Sequence, residues 1–354
     1  MHNQKRIRDY GVQIGRMETG VNNAITDVPG VRVGHSTLSK GEMQTGVTAI
    51  IPHQGNLFRE KLIASSHVIN GFGKTIGTIQ ISELGTLETP IILTNTLNVG
   101  IAADTLIDYM LDQNPEIGRT TGTVNPVVAE CNDMFLNDVR AKFVKREHVL
   151  EALSSASSKF MEGAVGAGTG MLCYSLKGGI GSSSRVIELE VGTYTMGVLV
   201  LTNFGILSDL QINNMPVGKV IKDALTSSYK EEDKGSIIII VATDLPVSER
   251  QLNRIIKRSV TGLSRTGSII TNGSGEIVIG FSTATKIPHE KPKGCLSIPT
   301  IHDEDIDVAF RAIGEATEEA VLNSLITADE VIGRVGNRRP ALKDIIQQFN
   351  ISLA

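Results

Sequence analysis

In this 354-residue chain the residues best placed to do chemistry are Gly235-Ser236, which lead directly into the aliphatic run Ile237 to Ala242. Gly and Ser are ordinary turn residues, so the plain reading is a turn before a strand. The pair supports a second reading. The Ser236 hydroxyl could attack the Gly235 carbonyl in an N-to-O acyl shift, and hydrolysis would then leave Ser236 as a new N-terminus with a hydroxyl and a free α-amine. An α-amine, with an ordinary pKa of about 8, is a better general base at neutral pH than a lysine near 10.4. Glycine at 235 tolerates the strained backbone that such an attack requires. A second polar group, Ser274 and Glu276, lies in TGSIITNGSGEIVIGFST, residues 266–283. Asn272-Gly273 between two strand-like runs predicts a β-hairpin. Ser274 and Glu276 then either decorate its turn or are aimed by it at a nearby nucleophile.

Other signatures fail on spacing. GFGKT at 71–75 carries the end of a phosphate-binding G-x-x-x-x-G-K-[ST] loop, but its first glycine should stand where Val68 is. It reads as a Gly-rich turn. GAVGAGTG at 163–170 does not fit G-x-G-x-x-G, because Met171 occupies the next position, and close backbone packing explains it better. The hydrolase elbow G-x-S-x-G is absent. The seven histidines form no metal-binding pair, the acidic stretch at 302–307 lacks the glycine of a calcium loop, and Cys131, Cys173 and Cys295 lie far apart. The expectation is no metal, no cofactor and no disulfide framework, hence a reducing compartment.

These groups need elements to position them. β-branched segments predict strands at 47–51, 75–81, 91–94, 196–202, 236–243 and 276–283. Helical periodicity covers 99–111, 147–158, 247–263 and 303–326, the last with an acidic first turn, and a short helix follows Pro340. Strands and helices interleave, so the class is mixed α/β, and SIIIIVA reads as a strand buried on both faces. The charge run KEEDKG at 230–235 predicts a solvated loop. With no long linker, residues 1–354 are expected to form one domain.

Composition narrows the function. A net charge of −4 offers no basic face for nucleic acid, and 41% hydrophobic with 20% charged residues is the balance of a globular protein. The N-terminal segment has no apolar run behind its basic residues, so no membrane association and a cytoplasmic location are expected.

Nine ordered segments then stand out together: NNAITDVPGVRVGH, TGVTAIIPH, ETPIILTNTLNVG, VVAECNDMFLND, GAVGAGTGM, KGGIGSSSR, GVLVLTNFG, GSIIIIVATDLP and NGSGEIVIGFSTA, from Asn22 to Ala284. As a set they resemble the DmpA-like family of L-aminopeptidase/D-esterases and β-peptidyl aminopeptidases. The resemblance implies a self-processing N-terminal-nucleophile hydrolase with an αββα sandwich, the type shared with ornithine acetyltransferases. It implies cleavage between Gly235 and Ser236 into subunits 1–235 and 236–354, with Ser236 as nucleophile. Ser274 and Glu276 match the pair that orients and charges the Ser236 amine, and Asn203 matches the side-chain donor of the oxyanion hole. Glu130 matches the acid that receives the substrate ammonium. Without the resemblance, Asn203 reads as a strand-end turn residue and Glu130 as a solvated carboxylate.

The implied activity is that of a serine aminopeptidase on small peptides, amino-acid amides or esters, β-peptides included, needing no cofactor and working as a homo-oligomer of processed heterodimers. Met134-Phe135 departs from the family's Gly and aromatic, and the usual Trp is missing. The resemblance implies that both changes reshape the acyl pocket. Alternatives are acyl transfer or non-peptide amide hydrolysis on the same fold, or an unprocessed, non-catalytic homologue.

Overall fold

A computed structural model describes residues 4–225 and 235–353. The strands, in chain order, are β1 (Arg32–Lys40), β2 (Met43–Ile51), β3 (Glu60–Gly71), β4 (Thr75–Ile76), β5 (Thr86–Leu87), β6 (Ile91–Asn95), β7 (Val127–Cys131), β8 (Leu172–Cys173), β9 (Leu176–Lys177), β10 (Ile180–Leu189), β11 (Gly192–Asn203), β12 (Ser236–Thr243), β13 (Gly275–Pro288), β14 (Val331–Ile332) and β15 (Arg338–Arg339). The helices are α1 (Thr78–Leu84), α2 (Val99–Gln113), α3 (Arg146–Ser154), α4 (Val217–Leu225), α5 (Glu249–Ile256), α6 (Ser259–Arg265), α7 (Ile306–Ile326) and α8 (Leu342–Gln348).

Two sheets stack face to face, ordered β1-β2-β6-β7-β4 and β10-β11-β12-β13-β3-β5. The run in β12 shows why. Ile238, Ile240 and Ala242 meet Leu93, Ala129 and Cys131 of the first sheet, forming the central core. Their neighbours Ile237, Ile239 and Val241 point the other way, onto Leu252, Ile255, Ala316 and Val321 of α5 and α7. A strand that serves two cores cannot alternate apolar with polar, so it is aliphatic throughout. On the far side, Val47, Ala49, Ile92 and Val128 pack against α2 and α3. The four layers make the expected αββα sandwich.

Several boundaries differ from the sequence expectation. Residues 75–81 do not form one strand: β4 stops at Ile76, Gly77 turns the chain at φ +87°, and α1 follows. The helix expected over 247–263 is two, broken at Lys257-Arg258. The hairpin at Asn272-Gly273 does not form. Instead β13 pairs parallel with β12 and antiparallel with β3, so buried sheet pairing overrides the local turn signal. Strands β1, β3, β7 and β10 were not expected at all. Residues 230–234 of the charged loop lie outside the described residues.

Candidate active site

The catalytic candidates converge because three strands end together. In register, Asn203 of β11 sits opposite Ser236 of β12, and Ser236 sits beside Gly275 of β13. The Gly235 carbonyl oxygen accepts the Gly275 N–H (3.1 Å) and the Ser236 hydroxyl (2.8 Å). The Gly275 N–H draws electrons from the carbonyl carbon, and the hydroxyl contact keeps the Ser236 Oγ close to the carbonyl it would attack. Both glycines are fixed by space: a Cβ on Gly235 would lie 1.8 Å from the Asn203 carbonyl oxygen, and one on Gly275 would lie 2.5 Å from the Phe72 carbonyl oxygen and 3.2 Å from the Ser236 Oγ.

Ser274 and Glu276 flank Gly275. Both are buried, and the Ser274 hydroxyl donates to the Glu276 carboxylate. The turn that carries them closes through Ser274 N–H to the Thr271 carbonyl (3.1 Å). Asn70, at the end of β3, gathers it further by donating to the carbonyls of Thr271 (3.1 Å) and Ser274.

Asn203 connects the two sheets. Its Nδ2 donates to the Asn132 carbonyl (3.0 Å), just beyond β7, and its Oδ1 accepts the Leu172 N–H (3.0 Å). The amide is therefore held at both ends, with its orientation fixed by partners of opposite character. Glu130, two residues before Asn132, is a buried carboxylate rather than a solvated one. Its Oε1 accepts the backbone N–H (3.1 Å) and the side-chain ammonium (3.2 Å) of Lys74, and that ammonium also donates to the Thr96 hydroxyl. The turn GFGKT thus runs from the Phe72 carbonyl at Gly275 to Lys74 at Glu130, bordering the whole cluster.

A model of peptidase family S58 matches residues 23–339. The chain belongs to peptidase family S58. Among curated proteins this S58 peptidase is similar to the β-peptidyl aminopeptidase BapA of Sphingosinicella xenopeptidilytica, 39% identical over 93% of this chain and 86% of that protein. Among solved structures it is similar to the PH0078 protein of Pyrococcus horikoshii OT3, at 48% identity and a TM-score of 0.91 over 98% of this chain and 99% of that one. It also matches the L-aminopeptidase D-Ala-esterase/amidase of Ochrobactrum anthropi, described as a variant of the Ntn hydrolase fold. That match has 35% identity, covers 99% of each chain and has a TM-score of 0.88. The S58 chain is accordingly a hydrolase of the aminopeptidase type, on an Ntn-hydrolase αββα fold.

Sequence reasoning missed the buried groups packed behind this candidate site. Lys177 is fully buried, and its Nζ donates to the carbonyls of Gly168 (3.0 Å), Met171 (2.7 Å) and Gly178 (2.6 Å). It ties down residues 163–171, directly before Leu172, whose N–H orients Asn203. Burial pulls the Lys177 ammonium down to about 7, opposed by the charges of Cys173 and Asp133. Asp133 is raised to about 6 by burial, against hydrogen bonds from Thr45, Asn137 and Asn95. Cys131, beside Glu130, is an inert thiol: burial pushes it well above its ordinary value. A lysine inside KGGIG, an otherwise small and apolar stretch, was the available sequence signal. Of the departures noted in sequence, Met134 is exposed, and Phe135 is covered by the Arg339 guanidinium at 3.8 Å.

Proposed function

We propose that this S58 aminopeptidase matures by cleaving its own Gly235–Ser236 bond, and that Ser236 then serves as an N-terminal nucleophile. In the first step the Ser236 Oγ adds to the Gly235 carbonyl carbon, the amide becomes an ester, and water releases residues 1–235. The observation that carries this reading is the Gly235 carbonyl oxygen, held by the Gly275 N–H and the Ser236 hydroxyl at the meeting of three strand ends. Residues 1–235 and 236–354 would remain one folded domain, because β11 and β12 lie side by side in one sheet and belong to different products.

In the mature enzyme the freed Ser236 amine takes the hydroxyl proton, the Oγ adds to the scissile carbonyl, the bond to the leaving amine or alcohol breaks as that group takes the proton, and water then splits the acyl-enzyme ester to restore Ser236. Asn203 stabilises the oxyanion, Ser274 and Glu276 orient and charge the amine, and Glu130 receives the substrate ammonium. A preference for substrates with a free amine next to the scissile bond follows from a buried carboxylate in that position. The substrates are small peptides, amino-acid amides and esters. β-Aminoacyl groups belong to this range because the curated relative is a β-peptidyl aminopeptidase.

Free cysteines are compatible with a cytoplasmic setting, and among the described residues no helix is long and apolar enough to cross a membrane. The same reading takes the working form to be a homo-oligomer of processed heterodimers. A panel of α- and β-aminoacyl p-nitroanilides, with and without an N-acetyl cap, tests the proposal. Hydrolysis is expected only for uncapped substrates and only with Ser236 present. Equal turnover of capped substrates, or undiminished turnover by Ser236→Ala, would contradict it.

A further inference from the structure

The carboxylate assigned to the substrate ammonium already has a cation beside it. Lys74 Nζ stands 3.2 Å from Glu130 Oε1, and the two side chains differ sharply in exposure, 52% for Lys74 against 4% for Glu130. Glu130 is also held by the Lys74 backbone N–H, so the acid stays in place whether or not the ammonium does. Lys74 is the movable partner, a flexible stem reaching in from solvent, with Thr96 as its second contact.

A substrate with only an ammonium enters this site at a disadvantage. It brings a second cation next to Lys74 around one carboxylate, and like charges about 4 Å apart cost roughly fivefold in binding in bulk water and more near a protein surface. A substrate carrying a carboxylate next to its ammonium removes the conflict. The ammonium meets Glu130, the carboxylate meets Lys74, and four charges alternate in sign. Because the protein's own pair is only one contact apart, the substrate's two charges must also be neighbours. A β-aspartyl group meets that demand, since its ammonium and α-carboxylate share one carbon. Its scissile bond is a β-linkage, so it is itself a β-aminoacyl group.

We infer that Lys74 determines specificity: with Glu130 it turns an ammonium site into a zwitterion site suited to peptides that begin with a β-linked aspartyl residue. The inference rests on the reading of Ser236 and Glu130 above. The chemistry balances as for any amide of this class. The Ser236 Oγ forms an ester with the side-chain carbonyl, the C–N bond breaks, and the leaving amine takes the hydroxyl proton. Water then splits the ester to give free aspartate and regenerate Ser236.

The test compares kcat/KM for β-Asp-Leu and β-Ala-Leu in the wild-type enzyme, Lys74→Met and Lys74→Glu. The wild type is expected to prefer β-Asp-Leu. Lys74→Met should lower β-Asp-Leu and raise β-Ala-Leu, changing the ratio by at least about tenfold, and Lys74→Glu should change it further. Independently of any variant, L-aspartate should inhibit the wild type competitively and more strongly than β-alanine. Equal ratios in all three enzymes, or a wild type that prefers β-Ala-Leu, would overturn the inference and leave the Ser236 mechanism standing. If the chain stays uncleaved and neither dipeptide is hydrolysed, both fall together.

Discussion

Two of the regions where this protein buries charged side chains are built in opposite ways. Behind the second sheet, Arg185 of β10 is fully enclosed and bonds Glu315 (3.3 Å) and Glu319 (2.8 Å) of α7, as well as the carbonyls of Ile14 and Ser184. Arg8 adds two more bonds to Glu319, and the backbone N–H groups of Arg16 and Met17 complete Glu315. Every charge there is answered by another fixed group. At the strand ends the acids are held differently: Glu276 by a serine hydroxyl, Glu130 by a turn and a lysine that solvent reaches. A saturated cluster of ions locks elements together, whereas an acid whose partner can leave has capacity for a ligand. Burial of charge alone does not mark a functional site; at Glu130 the distinguishing feature is an exposed partner, whereas Glu276 keeps a buried one.

Substitutions should divide the two regions cleanly. The largest effect is expected for Ser236→Ala, which should abolish chain cleavage and lower kcat/KM by at least about 10³-fold. Its unfolding, followed by denaturant titration, should remain cooperative with a midpoint no lower than that of the processed wild type. Arg185→Met should do the reverse. Removing one member of a buried ion cluster costs about 3–5 kcal/mol, seen as a lower denaturant midpoint, while cleavage at Ser236 proceeds. Burial by itself would raise the Glu319 carboxyl, but the Arg8 hydrogen bond and the Arg185 charge hold it below its ordinary value. A depressed carboxyl contributes stability above its unfolded pKa and loses it as pH falls through the folded one. The difference between wild type and Arg185→Met should therefore shrink in acid.

Asn203→Ala comes next, with a loss of about 10²-fold or more in kcat and little change in KM if its amide serves the oxyanion. A change confined to KM would make Asn203 a binding residue instead. The smallest and most discriminating effect concerns Lys177. Its folded pKa of about 7 lies below the unfolded value of about 10.4, so between these the unfolded chain holds more protons. Stability from this group should rise with pH over that window. Relative to Lys177→Met, the wild type should gain in denaturant midpoint from pH 7 to pH 9. A constant difference would mean that the three carbonyls keep the ammonium charged.

How much of this was legible in the sequence depended on whether the deciding contacts were local. The run Ile237 to Ala242 declared a doubly buried strand because each residue needs an apolar neighbour on its own face, and Gly235-Ser236 stood out at its start. Strand β10 did not read as a strand because its Ser182, Ser183 and Ser184 look like loop residues. In the fold their hydroxyls are satisfied by the Val198 carbonyl (2.7 Å), the Ala316 carbonyl (2.6 Å) and Asp27 (2.7 Å), none adjacent in sequence. Lys74 was passed over for the same reason, since Glu130 lies 56 positions away, and around Lys177 only the Gly178 carbonyl is a sequence neighbour while those of Gly168 and Met171 come from a folded-back glycine segment. The Asn-Gly hairpin failed in the opposite sense, a strong local signal defeated by parallel pairing with β12.

The central claim is that the bond before Ser236 is broken by the protein itself. The intact mass of freshly purified protein, denatured before measurement, tests it most directly. Two chains corresponding to residues 1–235 and 236–354 are expected for the wild type, and one chain of 354 residues for Ser236→Ala. A wild-type chain that remains whole while hydrolysing aminoacyl substrates at full rate would contradict the account.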